Sequence, residues 1–150
     1  MEYNLTFKKM YTQFAVINKH RWAVFKMCTK AGYPVRGALH DLSKYSPKEF
    51  FELARFQTNG SSPVNTAREV QGYSKAWLHH KGANPHHWEY WTEGYRPGSS
   101  RAIKIPFNYV VELFCDYMGA GIVYGQASGN TWSPQSAYDY WEGLRDKYSN

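Results

Sequence analysis

A chain of 150 residues has the length of one domain with a core of its own, so residues 1–150 are read as a single domain. The formal charge of +6 is scattered, with no basic run, which favours an anionic, phosphorylated small molecule over a nucleic-acid backbone as partner. Two distant cysteines, Cys28 and Cys115, argue for buried thiols and against a disulfide framework; the start MEYNLTFKKM lacks the apolar segment of a secretion signal, and no run is long enough to cross a bilayer. A soluble cytoplasmic protein with no membrane partner is therefore expected.

From about Leu5 to Ala31, Phe7, Met10, Phe14, Ile17, Val24 and Cys28 recur at steps of three and four, the period of a helix with one buried face. His20 falls three after Ile17 and four before Val24, which puts it on that face. Gly32 suits the C-cap and Pro34 prevents continuation. Pro34 to Lys44 reads as a short helix carrying His40-Asp41. Ser46-Pro47-Lys48-Glu49 has the form of a helix start, with Ser46 as cap, Pro47 in the first turn and Glu49 completing a capping box. The helix through Phe50, Phe51, Leu53, Ala54 and Phe56 follows.

Asn59-Gly60-Ser61-Ser62-Pro63 reads as a loop. One helix is then predicted from Asn65 or Thr66 to about Lys81, with Val70, Tyr73, Trp77 and His80 on its inner stripe and His79 on the neighbouring face. Gly82 ends it. Asn84 to Trp91 (NPHHWEYW) forms a turn entering a short helix, and the stretch from His79 to His87 holds four histidines in nine residues. Tyr95 to Ser100 is loop. Pro106 opens a helix through Val110, Val111, Leu113, Phe114 and Met118, in which Asp116 points toward apolar neighbours and Glu112 lies one turn before it. A last helix is predicted from Ser136 to about Tyr148, packed through Tyr140, Trp141 and Leu144.

The fold class is all-α. Its inward polar residues are His20, His40, Asp41, His80, His86, His87 and Asp116, contributed by four or five segments. A buried carboxylate is costly unless it meets a cation, either an Arg or Lys side chain or a metal. Mixed imidazole and carboxylate donors suit one or two divalent transition metals (Mn, Fe, Zn, Ni or Co), and no cysteine lies near the set.

The order His…His-Asp…Asp, carried by His20, His40, Asp41 and Asp116, resembles the HD superfamily of metal-dependent phosphohydrolases. His80 and His86-His87 between them are similar to HD members that hold two or more metals, such as the HD-GYP phosphodiesterases and the diiron oxygenase branch. HDLSK (residues 40–44) resembles the His-Asp-x-x-Lys signature. More closely, HDLSK, NPHHWEYW and the Glu112-x-x-x-Asp116 helix resemble a family of bacterial and phage proteins; the likeness spans about Ile17 to Ala120. Gly94-Tyr95-Arg96-Pro97 is not the glycine-tyrosine-proline motif, so cyclic-dinucleotide specificity is not carried over.

The resemblance implies a compact HD-like bundle of five to seven helices around a metal site, in the host cytoplasm if the chain is phage-encoded. It implies an enzyme that hydrolyses a phosphate ester or phosphoanhydride of nucleotide type by metal-activated water. The catalytic residues expected are Asp41, which bridges metals, Lys44 and Glu112, with Glu89 an alternative proton acceptor. Lys44, Arg36 and Lys81 are candidates for the phosphate, and Trp88, with Trp77, Tyr90 and Trp91, for stacking on a base. Two other readings stay open: a diiron oxygenase acting on a small anionic substrate, and a non-catalytic binding protein with a structural metal. Substrate, metal number, oligomeric state and the choice within His79/His80 and His86/His87 are left undecided.

Overall fold

The structure, a computed structural model, describes residues 3–58, 62–94, 96, 98–127, 133, 135–136, 138–139 and 141–143. It is all-α, with one minor hairpin. The helices are α1 (Phe7–Lys30), α2 (Pro34–Leu39), α3 (Pro47–Arg55), α4 (Pro63–Gln71), α5 (Lys75–Ala83) and α6 (Phe107–Ala127). Short 3-10 turns cover Leu42–Tyr45 and Trp88–Trp91. Strands β1 (Thr92–Glu93) and β2 (Arg101–Ala102) pair antiparallel, Thr92 opposite Ala102, and flank the predicted 95–100 loop. Among the described residues no helix is long and apolar enough to cross a membrane.

α1 is the axis of the bundle. It packs most extensively on α6, then on α2 and α3, and α3 in turn packs on α5. Val24 and Cys28 of α1 meet Cys115 of α6 in the core, joined by Met27, Tyr33 and Val111. Burying a side chain such as Ile17 or Val24 stabilises by about 1.5–3 kcal/mol. Two glycines permit the close approach. A Cβ on Gly119 would stand 2.5 Å from Val24 Cγ2, and one on Gly37 would stand 2.8 Å from both Cys28 Cβ and the Phe25 Cα.

The buried face of α1 is Gln13, Ile17, His20, Ala23, Val24 and Cys28. The aromatic residues assigned to it from periodicity lie elsewhere: Phe7 is 89 % exposed and Phe14 50 %. Two overlapping three-and-four patterns run along this helix, and the one that carries Gln13 and His20 faces inward. The single helix expected from Asn65 to Lys81 is two. Gly72 adopts φ 81° and caps α4 through its N–H on the Arg68 carbonyl; Ser74 then caps α5, its hydroxyl accepting from Trp77 N at 3.1 Å. Val70 and Tyr73 consequently stand exposed.

His40-Asp41 does not lie within a helix. α2 stops at Leu39, and Asp41 takes the left-handed backbone, φ 58° and ψ 23°, before the 3-10 turn. Arg21 of α1 holds this break, its guanidinium donating to the His40 carbonyl at 2.7 Å and the Ala38 carbonyl at 2.6 Å. These are carbonyls that a helix end leaves without an internal partner. In a continuous helix neighbouring side chains diverge by about 100°; the break lets both point to one place.

Ser46 makes no side-chain cap bond, and Glu49 does not complete a capping box, because its carboxylate turns into the interior. Of the predicted last helix, residues 136, 138–139 and 141–143 are helical; residues 137, 140 and 144–148 lie outside the described residues, as do 59–61 of the predicted loop before α4.

Candidate metal centre

Eight imidazole- or carboxylate-bearing side chains converge where α1, the end of α2, α5, the 84–87 turn and α6 meet. His20, His40, Asp41 and Asp116 form one group whose donor atoms all lie within 4.8 Å of one another; Asp41, His80, His86 and His87 form a second; His40, His86 and Glu112 form a third. All are buried. His20 Nε2 stands 3.0 Å from Asp116 Oδ1 and 3.3 Å from Asp41 Oδ2. His40 Nε2 stands 3.3 Å from Asp41 Oδ2, 3.4 Å from Asp116 Oδ1 and 3.4 Å from His20 Nε2. Across the carboxylate, Asp41 Oδ1 is 3.2 Å from His80 Nε2 and 3.4 Å from His86 Nε2. Asp41 thus offers one oxygen to each group.

These separations match those between neighbouring ligands of a coordination shell. With metal–nitrogen distances of about 2.1 Å, octahedral edges are about 3.0 Å and tetrahedral edges about 3.4 Å. Hydrogen bonding explains the inner face poorly. Asp41 Oδ1, His86 Nε2 and His87 Nε2 are buried and have no hydrogen-bond partner among the described residues, although nitrogen and oxygen face each other within 3.4 Å. Orphaned buried groups are costly, and groups of pure metal-ligand type gathered in this way fit a divalent cation. Neither cysteine belongs to any of the groups; Cys28 and Cys115 are free and buried in the core.

An outer set of carboxylates orients the rings. His80 Nδ1 donates to Glu49 Oε2 at 2.8 Å, and His79 Nδ1 to Glu49 Oε1 at 2.6 Å. His40 Nδ1 and His86 Nδ1 both donate to Glu112 Oε1, at 3.0 and 3.2 Å. Each of these three inner rings therefore turns Nε2 toward Asp41 or Asp116, the arrangement by which carboxylates fix the tautomer of a ligating histidine. Arg36 braces Glu112 at 3.1 Å and lies over the Tyr109 ring at 3.9 Å.

Electrostatics follow from crowding. Burial opposes charge on Asp41, but the neighbouring His40 and Lys44 outweigh it and hold its carboxyl well below the usual range. Asp116 is held low in the same way, burial being outweighed by hydrogen bonds from His20 and His40. Glu112, despite its burial, is brought down to about 2 by His40 and His86. His40, His80 and His86 all lose to burial and gain more from the carboxylates, chiefly Asp41, so their pKa values rise. His87 is the exception: burial and the adjacent His86 push it down to about 3, so it is neutral.

Geometry separates the neighbouring histidines. His80 joins the cluster while His79 faces outward on Glu49, and both His86 and His87 join. Lys44 pairs with Asp41 and lines a cavity of about 480 Å³ beside the cluster, together with Trp77, Trp88, Glu89, Tyr117 and Tyr124. Arg36 and Lys81, named from sequence for the phosphate, do not line it; Arg36 is committed to Glu112. Glu49 was missed, having been read as a capping residue. Its signal was there: Glu49, Leu53 and Phe56 lie at i, i+4 and i+7, a carboxylate on an apolar stripe.

The class of structure is thus an all-α bundle enclosing a histidine–carboxylate cluster of metal-ligand type. By sequence the chain belongs to a family of unknown function, DUF5662, whose model matches residues 9–149. Neither curated proteins nor solved structures gave a match.

Proposed function

We propose that this protein is a metal-dependent phosphohydrolase, related in its site to the HD superfamily, that cleaves a phosphate ester or phosphoanhydride on a nucleotide-type small molecule. The observation that carries this reading is Asp41, whose two oxygens address separate histidine groups while Lys44 pairs with it at the cavity wall. His20, His40 and Asp116 would hold one cation with Asp41; His80, His86 and His87 would hold a second. A divalent cation held there lowers the pKa of water and polarises a phosphoryl oxygen.

The chain supplies the rest. Lys44 stays cationic, since the pull of Asp41 and Asp116 outweighs its burial, and it sits where it would neutralise a substrate phosphate. Glu49 and Glu112 keep the inner rings in one tautomer. Glu89, at the cavity wall, is the acceptor available for a proton leaving the nucleophile. Trp77 and Trp88 give the cavity an aromatic wall on which a planar group would stack.

The test is a panel of nucleotides and phosphodiesters with tag-free protein and added Mn, Fe, Ni or Co, run with an oxygen electrode. Phosphate release that a chelator abolishes is the expected result. Oxygen uptake without phosphate release would favour oxygenase chemistry on the same ligands. Metal binding with neither would leave the cation a structural part.

A further inference from the structure

Gln13 is a polar residue on the apolar seam of α1, and the metal cluster does not use it. It is 4 % exposed, its Oε1 has no hydrogen-bond partner among the described residues, and it lines the 480 Å³ cavity. A cavity of that size lies in the range of small-molecule sites. A buried amide oxygen left unpaired is destabilising, so a residue kept only for packing would do better as leucine or methionine. Gln13 lies seven residues before His20 on the same buried face, about 10 Å along the helix axis. That offset corresponds to the sugar and base that extend beyond a phosphate held at the cluster. A second unpaired acceptor, the buried Glu89 Oε2, belongs to the same cavity.

We infer that Gln13 is the residue by which this protein selects the base of its substrate: the amide oxygen accepts an N–H from the edge of a nucleobase seated in the aromatic-walled cavity. The inference rests on the phosphohydrolase reading for the place of the phosphate, but the base site is testable without turnover. The ligand class is a planar heterocycle with at least one N–H donor, attached to a phosphorylated sugar. A base-free sugar phosphate meets the metal cluster and Lys44 and leaves Gln13 unsatisfied.

The experiment compares wild type with Gln13→Met, which keeps length and removes the polar atoms, and Gln13→Glu, which keeps an acceptor oxygen in the same shape. Binding of adenosine, guanosine, cytidine, uridine and ribose is followed by calorimetry. Initial rates are then measured on the four nucleoside monophosphates and on ribose 5-phosphate. At least one nucleoside should bind wild type about tenfold more tightly than Gln13→Met, and Gln13→Glu should bind it better than Gln13→Met. KM for its monophosphate should rise by a similar factor with kcat little changed, and ribose 5-phosphate should be indifferent to the substitution. The Tm of Gln13→Met should equal or exceed that of wild type. Equal nucleoside affinity in wild type and Gln13→Met, no nucleoside binding at all, or a lowered Tm with uniform loss on every ligand overturns the assignment. Selective nucleoside binding without phosphate release upholds Gln13 and removes the hydrolase reading instead.

Discussion

Glu49 holds the Nδ1 of His80 at 2.8 Å and so aims the other nitrogen of that ring at Asp41, 3.2 Å away. The carboxylate is fully buried, yet its pKa is lowered: burial raises it, and hydrogen bonds and charge from His80, then His79, more than compensate. Glu49→Gln keeps the shape and removes the charge. Metal affinity should fall about 10–100-fold, the usual consequence of losing the carboxylate behind a ligating ring. Competition against a chromophoric chelator reads this directly, and an unchanged affinity would remove His80 from the ligand set.

Loss of a ligand should cost metal where loss of a neighbour does not. Elemental analysis of tag-free protein should find His40→Ala and Asp116→Ala depleted of transition metal, whereas His79→Ala, whose ring bonds only the outer face of Glu49, should retain it. Equal metal in all four proteins would count against the cluster as a binding site.

Metal loading should release protons. In the metal-free protein the carboxylates raise the pKa of His40, His80 and His86, so these rings hold a second proton to higher pH than a free imidazole, and a cation must displace whatever they hold. His87, at about 3, contributes none. A raised histidine pKa stabilises the fold fully below the ordinary value near 6.5, and the gain is lost as pH climbs through the raised value. Metal-free protein should therefore lose Tm from neutral toward alkaline pH, while metal affinity increases over the same interval. Tm series at pH 6 to 9 with and without chelator test both signs; parallel curves would contradict them.

Gly37→Ala should destabilise. Its Cβ would press on the Phe25 Cα and the Cys28 Cβ at 2.8 Å, and neither a backbone atom nor a first side-chain carbon can swing aside. Overpacking of this kind costs typically 1–3 kcal/mol, only partly offset by the better helix propensity of alanine, roughly 1 kcal/mol. Because α2 delivers His40 directly, metal affinity should fall with it. Denaturant unfolding with a midpoint no lower than wild type would show that the α1–α2 contact yields more readily than it looks.

The all-α architecture was legible because the apolar residues recur at helical steps, and the inner histidine–carboxylate cluster was legible because His20, His80 and Asp116 sit on those stripes. What escaped has physical causes. Period alone does not choose between two overlapping stripes on α1, so Phe7 and Phe14 were placed inside and Gln13 was overlooked. Propensity does not register that Gly72 takes a positive φ, which splits one long helix into two. A Ser-Pro-x-Glu start looks the same whether its glutamate reaches back to the cap or is claimed by a distant histidine, and here His80 claims it. The phosphate role given to Arg36 from charge alone overlooked Glu112, which lies 76 residues on in sequence and 3.1 Å away in space.

Asp41 answers to two selections at once. Its side chain must offer an oxygen in each direction, and its main chain must tolerate φ 58°, a region that asparagine and aspartate enter with little penalty and most residues enter at a cost of about 1–2 kcal/mol. Swapping in alanine there would combine a lost carboxylate with a contorted peptide, and any deficit measured would be an unresolved sum of both. Asparagine is the fair comparator, since it inherits the turn and surrenders the charge together with one of the two oxygens.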